Sequence, residues 1–200
     1  MFTIVGLGNP GDEYENTRHN TGREILRMIA KKGDFSEWKE EGKLKALISS
    51  GKIGSPPAGG KVQFILPNNF MNNSGKSVAP LIKSKKDLAQ LVVIYDDLDL
   101  PLGRLKISFN RSAGGHRGME SIIKNLKSEE FLRIRVGIAS ETPSGKLKKP
   151  KGEKAVVTYL MSVFKEKEMV ELKKLSKKVA EALEVIMTEG NQKAMTLFNN

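Results

Sequence analysis

The chain contains two histidines, and one of them, His19, stands in the polar segment NTRHNTG just ahead of a helical pattern that starts near Glu24. A histidine in such a turn is not tied to an apolar face, and a near-neutral imidazole is the side chain best matched to general-base work at pH 7. A base needs an orienter. Asp96, directly after the apolar run LVVIY, can accept a hydrogen bond from one ring nitrogen and leave the other to take a proton from water. The competing reading of His19 is a helix-capping or phosphate-contacting residue. Asn9 follows the first apolar run, and Asn69, Met71 and Asn72 follow VQFIL in the same way. Open α/β sheets bind ligands at the carboxyl ends of their strands, so three strand ends are expected to converge on one site. An amide supplies donors and an acceptor without charge, which suits gripping a peptide backbone or orienting a water. Taken singly, each Asn also reads as a turn or capping residue. The second histidine, His116 in SAGGHRGME, reads as a structural residue where a loop enters a helix.

Two further patterns lead elsewhere. Gly6, Gly8 and Gly11 form G-x-G-x-x-G directly after a strand, which invites a dinucleotide-binding reading. The context is wrong for it. Pro10 interrupts the loop, GDEYENTRHNTG is turn-rich, and KKGDFSEWKE stands where a second strand ending in an acid should follow. The glycines are expected instead to let the backbone turn sharply and approach a ligand closely. The acidic run DDLDLP offers Asp96, Asp97 and Asp99 to a hard cation. In an extended turn these carboxylates point different ways, and a turn role for Asp97 and Asp99 is expected. With no cysteine, thiolate metal sites, disulfides and a cysteine nucleophile are excluded. The expectation is a site without metal or cofactor.

The elements that must position these residues are legible as apolar, β-branched runs at 2–7, 44–48, 62–66, 91–95, 105–109 and 134–138, which read as strands. Helical periodicity covers 24–32, 74–84, 118–126 and 165–189, with Gly190 as the expected C-cap of the last. This alternation predicts one α/β domain spanning residues 1–200, a twisted mixed, mostly parallel central sheet flanked by helices on both faces. The Gly/Pro-rich stretch 51–61 reads as a hairpin-type connection. Residues 140–154, SETPSGKLKKPKGEK, read as a basic mobile loop within the domain. Hydrophobic residues at 38% and charged residues at 28% exclude a disordered or membrane-embedded chain. The N-terminus shows no signal-peptide pattern, and a cytoplasmic protein is expected.

The charge is uneven in an informative way. Residues 1–100 carry 14 basic and 12 acidic side chains, net +2, whereas 101–140 carry 8 and 3, net +5, of a total of +11. Arg104, Lys106, Arg111 and Arg117 precede a run at Lys146, Lys148, Lys149, Lys151 and Lys154. Loop-borne clustering of this kind predicts a nucleic-acid partner held by its phosphates.

Five segments, IVGLGNPGDEYENTRHNTG, FMNNSGKSV, YDDLDLPLGRLK, SAGGHRGMESI and FLRIRVGI, closely resemble the bacterial-type peptidyl-tRNA hydrolase family in order and spacing, from Phe2 to about Phe164. The resemblance implies a cytoplasmic, monomeric, metal-free α/β hydrolase that cleaves the ester joining a stalled peptide to the terminal ribose of tRNA. It implies that His19 is the catalytic base and Asp96 its partner. Asn9, Tyr14, Met71 and Asn72 would line the peptide and ester site, with Asn9 or Asn72 stabilising the oxyanion. Arg135 would lie near the tRNA phosphates with Lys106 beside it. Two departures stand out. The family usually has Asn after the histidine of GGHNG, and here Arg117 takes that substrate-binding position. The family's short Gly-Arg-Pro continuation after GIA is replaced by the basic 140–154 segment. A non-catalytic RNA-binding relative and a nucleotide-dependent enzyme are the other readings; a pure binder would have no need of His19, Asp96, Asn9 and Asn72 together.

Overall fold

The apolar runs TIVG, LVVIY and IRVGI are buried on both sides, the pattern of parallel strands covered by helices. The computed structural model describes residues 1–54 and 59–199. Its strands are β1 (Phe2–Gly6), β2 (Lys39–Glu41), β3 (Ala46–Ile53), β4 (Gly60–Pro67), β5 (Leu91–Pro101), β6 (Leu105–Phe109), β7 (Leu132–Glu141) and β8 (Leu147–Lys148). They form one sheet in the order β2-β3-β4-β1-β5-β7-β6, with β8 paired to β7. The central strands β4, β1, β5 and β7 are parallel, and the edges are closed by antiparallel pairs. The expected mixed sheet is thus parallel in its centre.

The helices are α1 (Thr21–Lys32), α2 (Ser74–Val78), α3 (Lys85–Ala89), α4 (Arg117–Leu126), α5 (Glu153–Leu160), α6 (Glu166–Thr188) and α7 (Asn191–Phe198). Because successive strand residues face opposite sides, the sheet feeds two cores. Ile4, Phe64, Ile94 and Ile134 pack against Ile25 of α1 and Leu175 of α6. Val5, Ile65 and Val93 pack against Val78 of α2 and Ile122 of α4. Helices therefore cover both faces.

Several expected boundaries move for identifiable reasons. The helix expected over 74–84 stops at Val78 and gives way to a 3-10 turn, Ala79–Leu81; Pro80 inside that turn has no N–H to continue an α-helix. β5 does not end at Tyr95 but runs through the acidic segment, with its pairing to β7 shifted between Asp97 and Pro101. The turn character survives locally, since the Asp99 N–H donates to Asp97 Oδ1 at 2.7 Å. In the basic segment, Leu147 and Lys148 fold back on Glu141 and Ser140 as a short hairpin, and α5 follows. The hairpin reading of 51–61 agrees with the antiparallel pairing of Ile53 to Gly60; the turn itself, 55–58, lies outside the described residues.

Gly11, at φ +107°, makes the sharp turn expected of the glycine pattern, whereas the close approach at Gly6 is to another stretch of backbone. A Cβ on Gly6 would lie 2.5 Å from Gly22 O, and one on Gly22 would lie 2.1 Å from Ile94 O and 2.7 Å from Leu7 N. It is helix α1, not a ligand, that approaches the strands closely, and this seats the turn immediately before α1. Gly22→Ala is expected to destabilise the fold by about 1–3 kcal/mol or more, as overpacking against backbone does. The measurement is a lower urea midpoint at unchanged slope; an unmoved midpoint contradicts the packing argument.

Candidate active site

His19 lies in a 3-10 turn, Arg18–Asn20, that leads into α1, and Asp96 lies in β5. Both are buried, at 7% and 3% exposure. His19 Nδ1 is 3.1 Å from each carboxylate oxygen of Asp96. Asp96 Oδ1 is also 3.1 Å from His116 Nε2. An ionised carboxylate can only accept, so both ring nitrogens facing it carry hydrogen. The other nitrogen of His116, Nδ1, accepts the Met119 N–H at 3.3 Å and caps α4. His116 thus has both nitrogens engaged, whereas His19 keeps the Nε2 lone pair free.

Electrostatics reinforce this assignment. Burial alone would raise the Asp96 carboxyl's pKa, but the charge and hydrogen bonds of His19 and His116 reverse the effect and hold it well below the usual range. Burial alone would lower the His19 pKa, yet the Asp96 charge and hydrogen bond outweigh it and leave the imidazole above its ordinary value of 6.5. Asp96 thus both holds the imidazole in place and makes its free nitrogen more basic.

The loop after β1 brings in Asn9. Its N–H donates to Asn20 Oδ1 at 2.8 Å and its carbonyl accepts from Asn20 Nδ2 at 3.0 Å. Asn9 Oδ1 accepts the Met71 N–H at 2.8 Å. With its oxygen so used, the Asn9 amide turns its NH₂ donors to the cavity. The turn carrying His19 is held from the other side by Arg18. Its guanidinium reaches both carboxylate oxygens of Glu168, at 2.8 and 3.0 Å, and lies over the rings of Tyr159 and Phe164.

A cavity of about 1050 Å³ collects most of the expected site: Asn9, His19, Met71, Asn72 and Asp96 share its lining, and His116 joins them. Lys106 and Arg135 line it as well, as cross-strand neighbours on β6 and β7. Arg135 Nε donates to Asp97. Asn69 turns away and donates to Ser77 Oγ. Tyr14 does not reach the lining and stands edge-on to Phe70, which does. Arg117 also lines the cavity, at its exposed rim, with its guanidinium paired to Glu153 at 3.0 Å.

The acidic run is divided among separate partners, Asp97 to Arg135 and Asp99 to Lys149, which leaves no shared cation cage there. His19, Asp96 and His116 do offer ligand atoms within 4.8 Å of one another. That set does not fit a metal, because the His116 nitrogen facing the cluster carries hydrogen as long as its other nitrogen accepts the Met119 N–H.

Sequence reasoning missed two residues. The structural reading of His116 holds for its cap, but its second nitrogen belongs to the Asp96 network; its place at a loop-to-helix junction gave a signal for the cap alone. Arg18 adjoins His19, and that adjacency was its one signal.

The model of the peptidyl-tRNA hydrolase family matches residues 3–200. The chain is 44% identical over its whole length to the peptidyl-tRNA hydrolase of Carboxydothermus hydrogenoformans, covering 98% of that protein. It is 40% identical to that of Bacillus cytotoxicus, with both chains covered completely. Among solved structures, the peptidyl-tRNA hydrolase of Acinetobacter baumannii superposes with a TM-score of 0.84 at 26% identity, covering 100% of this chain and 94% of that one.

Proposed function

The chain belongs to the peptidyl-tRNA hydrolase family and hydrolyses the ester joining a peptide to tRNA, and we propose that it does so with His19 as general base, Asp96 as its orienter and Asn9 as the oxyanion donor. The observation that carries this reading is the bond from His19 Nδ1 to Asp96, which leaves Nε2 as the one imidazole nitrogen of the cluster able to take a proton. Water gives a proton to Nε2 as its oxygen bonds to the ester carbonyl carbon. The carbonyl oxygen becomes an oxyanion, and the Asn9 NH₂ stabilises it. Collapse breaks the bond to the terminal ribose oxygen, which takes the proton back from His19 and leaves as the tRNA hydroxyl, while the peptide leaves with a free carboxyl group. No step needs a metal. Asn72, exposed in the same lining, is suited to the peptide's amide groups.

Lys106 and Arg135, on strands to one side of Asp96, suit the tRNA phosphates. The reading carries a cytoplasmic location, because peptidyl-tRNA arises in translation. It also carries a monomeric enzyme, since one chain supplies every group named. Among the described residues no helix is long and apolar enough to cross a membrane. The RNA-binding alternative gives no reason for a buried carboxylate to hold an imidazole with one nitrogen free.

The test is release of N-acetyl-aminoacyl groups from tRNA in the presence of EDTA, measured across a salt series. Hydrolysis is expected to proceed, with kcat/KM falling as salt rises and Lys106→Ala reducing the logarithmic slope by about 1. Hydrolysis that requires added metal, or binding that ignores salt, contradicts the reading.

A further inference from the structure

Strand β6 lies at the edge of the sheet. Its inner side pairs with β7, and the outward N–H and C=O groups of an edge strand need partners of another kind. At Ile107 that partner is a single side chain. The Ile107 N–H donates to Asn199 Oδ1 at 2.7 Å, and its carbonyl accepts from Asn199 Nδ2 at 2.9 Å. A carboxamide presents a donor and an acceptor side by side, so Asn199 takes the place of one residue of a further strand. Asn199 is itself held. It caps the end of α7, its N–H donates to Met195 O at 3.2 Å, and Ala194, Met195 and Phe198 of that helix pack into the core.

Side chains alternate along a strand. Ile107 points into the core, and its neighbours Lys106 and Ser108 line the cavity that holds His19. Ser108 is buried, whereas Lys106 is exposed. The start of β6 is fixed by a turn in which the Arg104 N–H donates to Pro101 O at 3.1 Å, and Asn199 supplies a tie at the strand's middle.

We propose that Asn199 is a positioning residue for tRNA binding: it fixes the outer edge of β6, and with it the point from which Lys106 reaches a phosphate. The proposal rests on the reading of Lys106 as a phosphate contact. A lysine ammonium is a point charge on a flexible stem, so the place of its backbone decides which phosphate it can reach. Without the tie, the Ile107 groups turn to water and the middle of the strand loosens, and part of the binding energy goes into ordering it again. Asn199 lies outside the cavity lining and acts on binding through Lys106.

The experiment measures hydrolysis of one N-acetyl-aminoacyl-tRNA by the wild type, Asn199→Ala, Lys106→Ala and the double variant. Asn199→Ala is expected to raise KM about three- to tenfold, the size of one hydrogen bond's net contribution, with the single-turnover rate at saturating enzyme unchanged. On the Lys106→Ala background the same substitution is expected to add nothing, a non-additivity that a general loss of stability does not produce. The Ile107 amide is expected to exchange slowly with solvent deuterium in the wild type and faster in Asn199→Ala. An unmoved KM in Asn199→Ala, an equal loss on both backgrounds, or a fast-exchanging Ile107 amide in the wild type overturns the proposal and leaves the phosphate reading intact. If Lys106→Ala by itself changes neither KM nor the salt slope, the phosphate reading falls and the proposal with it.

Discussion

His19→Ala is expected to lower kcat by about 10²- to 10⁴-fold, the range that a positioned general base supplies, while tRNA affinity stays close to that of the wild type. Among the described residues no neighbour is placed to take over. His116 is the other imidazole in the cavity, but one of its nitrogens donates to Asp96 and the other accepts the Met119 N–H. The groups suited to phosphates, Lys106 and Arg135, lie on β6 and β7, away from the turn that carries His19. Single-turnover hydrolysis with saturating enzyme separates the chemical step from binding. A folded His19→Ala protein with wild-type turnover would remove His19 from the mechanism.

Asp96→Asn is the second large effect, with kcat expected to fall by up to about 10⁴-fold, as when a buried orienting aspartate is made neutral in a hydrolytic triad. The substitution keeps the shape and changes the hydrogen-bonding logic. An ionised Asp96 accepts from two imidazole N–H groups at once. An asparagine amide presents an NH₂ to at least one of them, and two donors then face each other in a buried place. His19 can relieve this by moving its hydrogen to Nε2, which puts the lone pair on the side away from substrate. KM should change much less than kcat, because both carboxylate oxygens of Asp96 are engaged by the two imidazoles. Equal losses in affinity and turnover would instead indicate that the cavity had collapsed.

Much of this site was legible because it depends on strand ends. The runs ending at Leu7, Leu66 and Tyr95 become the parallel strands β1, β4 and β5, so Asn9, Met71 and Asp96 had to emerge on one side of the sheet once helices covered its faces. The pairing of His19 with Asp96 followed from the scarcity of titratable groups suited to base chemistry at those ends. What could not be read depends on where loops pass one another. His116 joins Asp96 only because the loop after β6 folds its side chain over β5, and nothing in SAGGHRGME encodes the partner. The pairing of Arg117 with Glu153 could not be read either, because it depends on α5 forming beside Arg117, and only the first two residues of α5 fall within the segment 140–154 read as a loop. The helix α5 itself was obscured by the preceding basic segment and lacks the buried stripe that makes α6 evident. The glycines were recognised as places of close approach, but only the fold reveals that the approaching group is the backbone around Gly22.

The central claim is that a neutral His19, held and strengthened by Asp96, takes the proton from water, and the pH dependence of kcat tests it most directly. The reactive form is the unprotonated one, and Asp96 raises the His19 pKa above its ordinary value of 6.5. In the wild type the rate should therefore rise with pH through a midpoint above 6.5. In Asp96→Asn the raising charge is gone and burial alone remains, so the residual activity should rise through a midpoint shifted to lower pH. An acidic limb at the same pH in both proteins, or none in the wild type, would contradict the account.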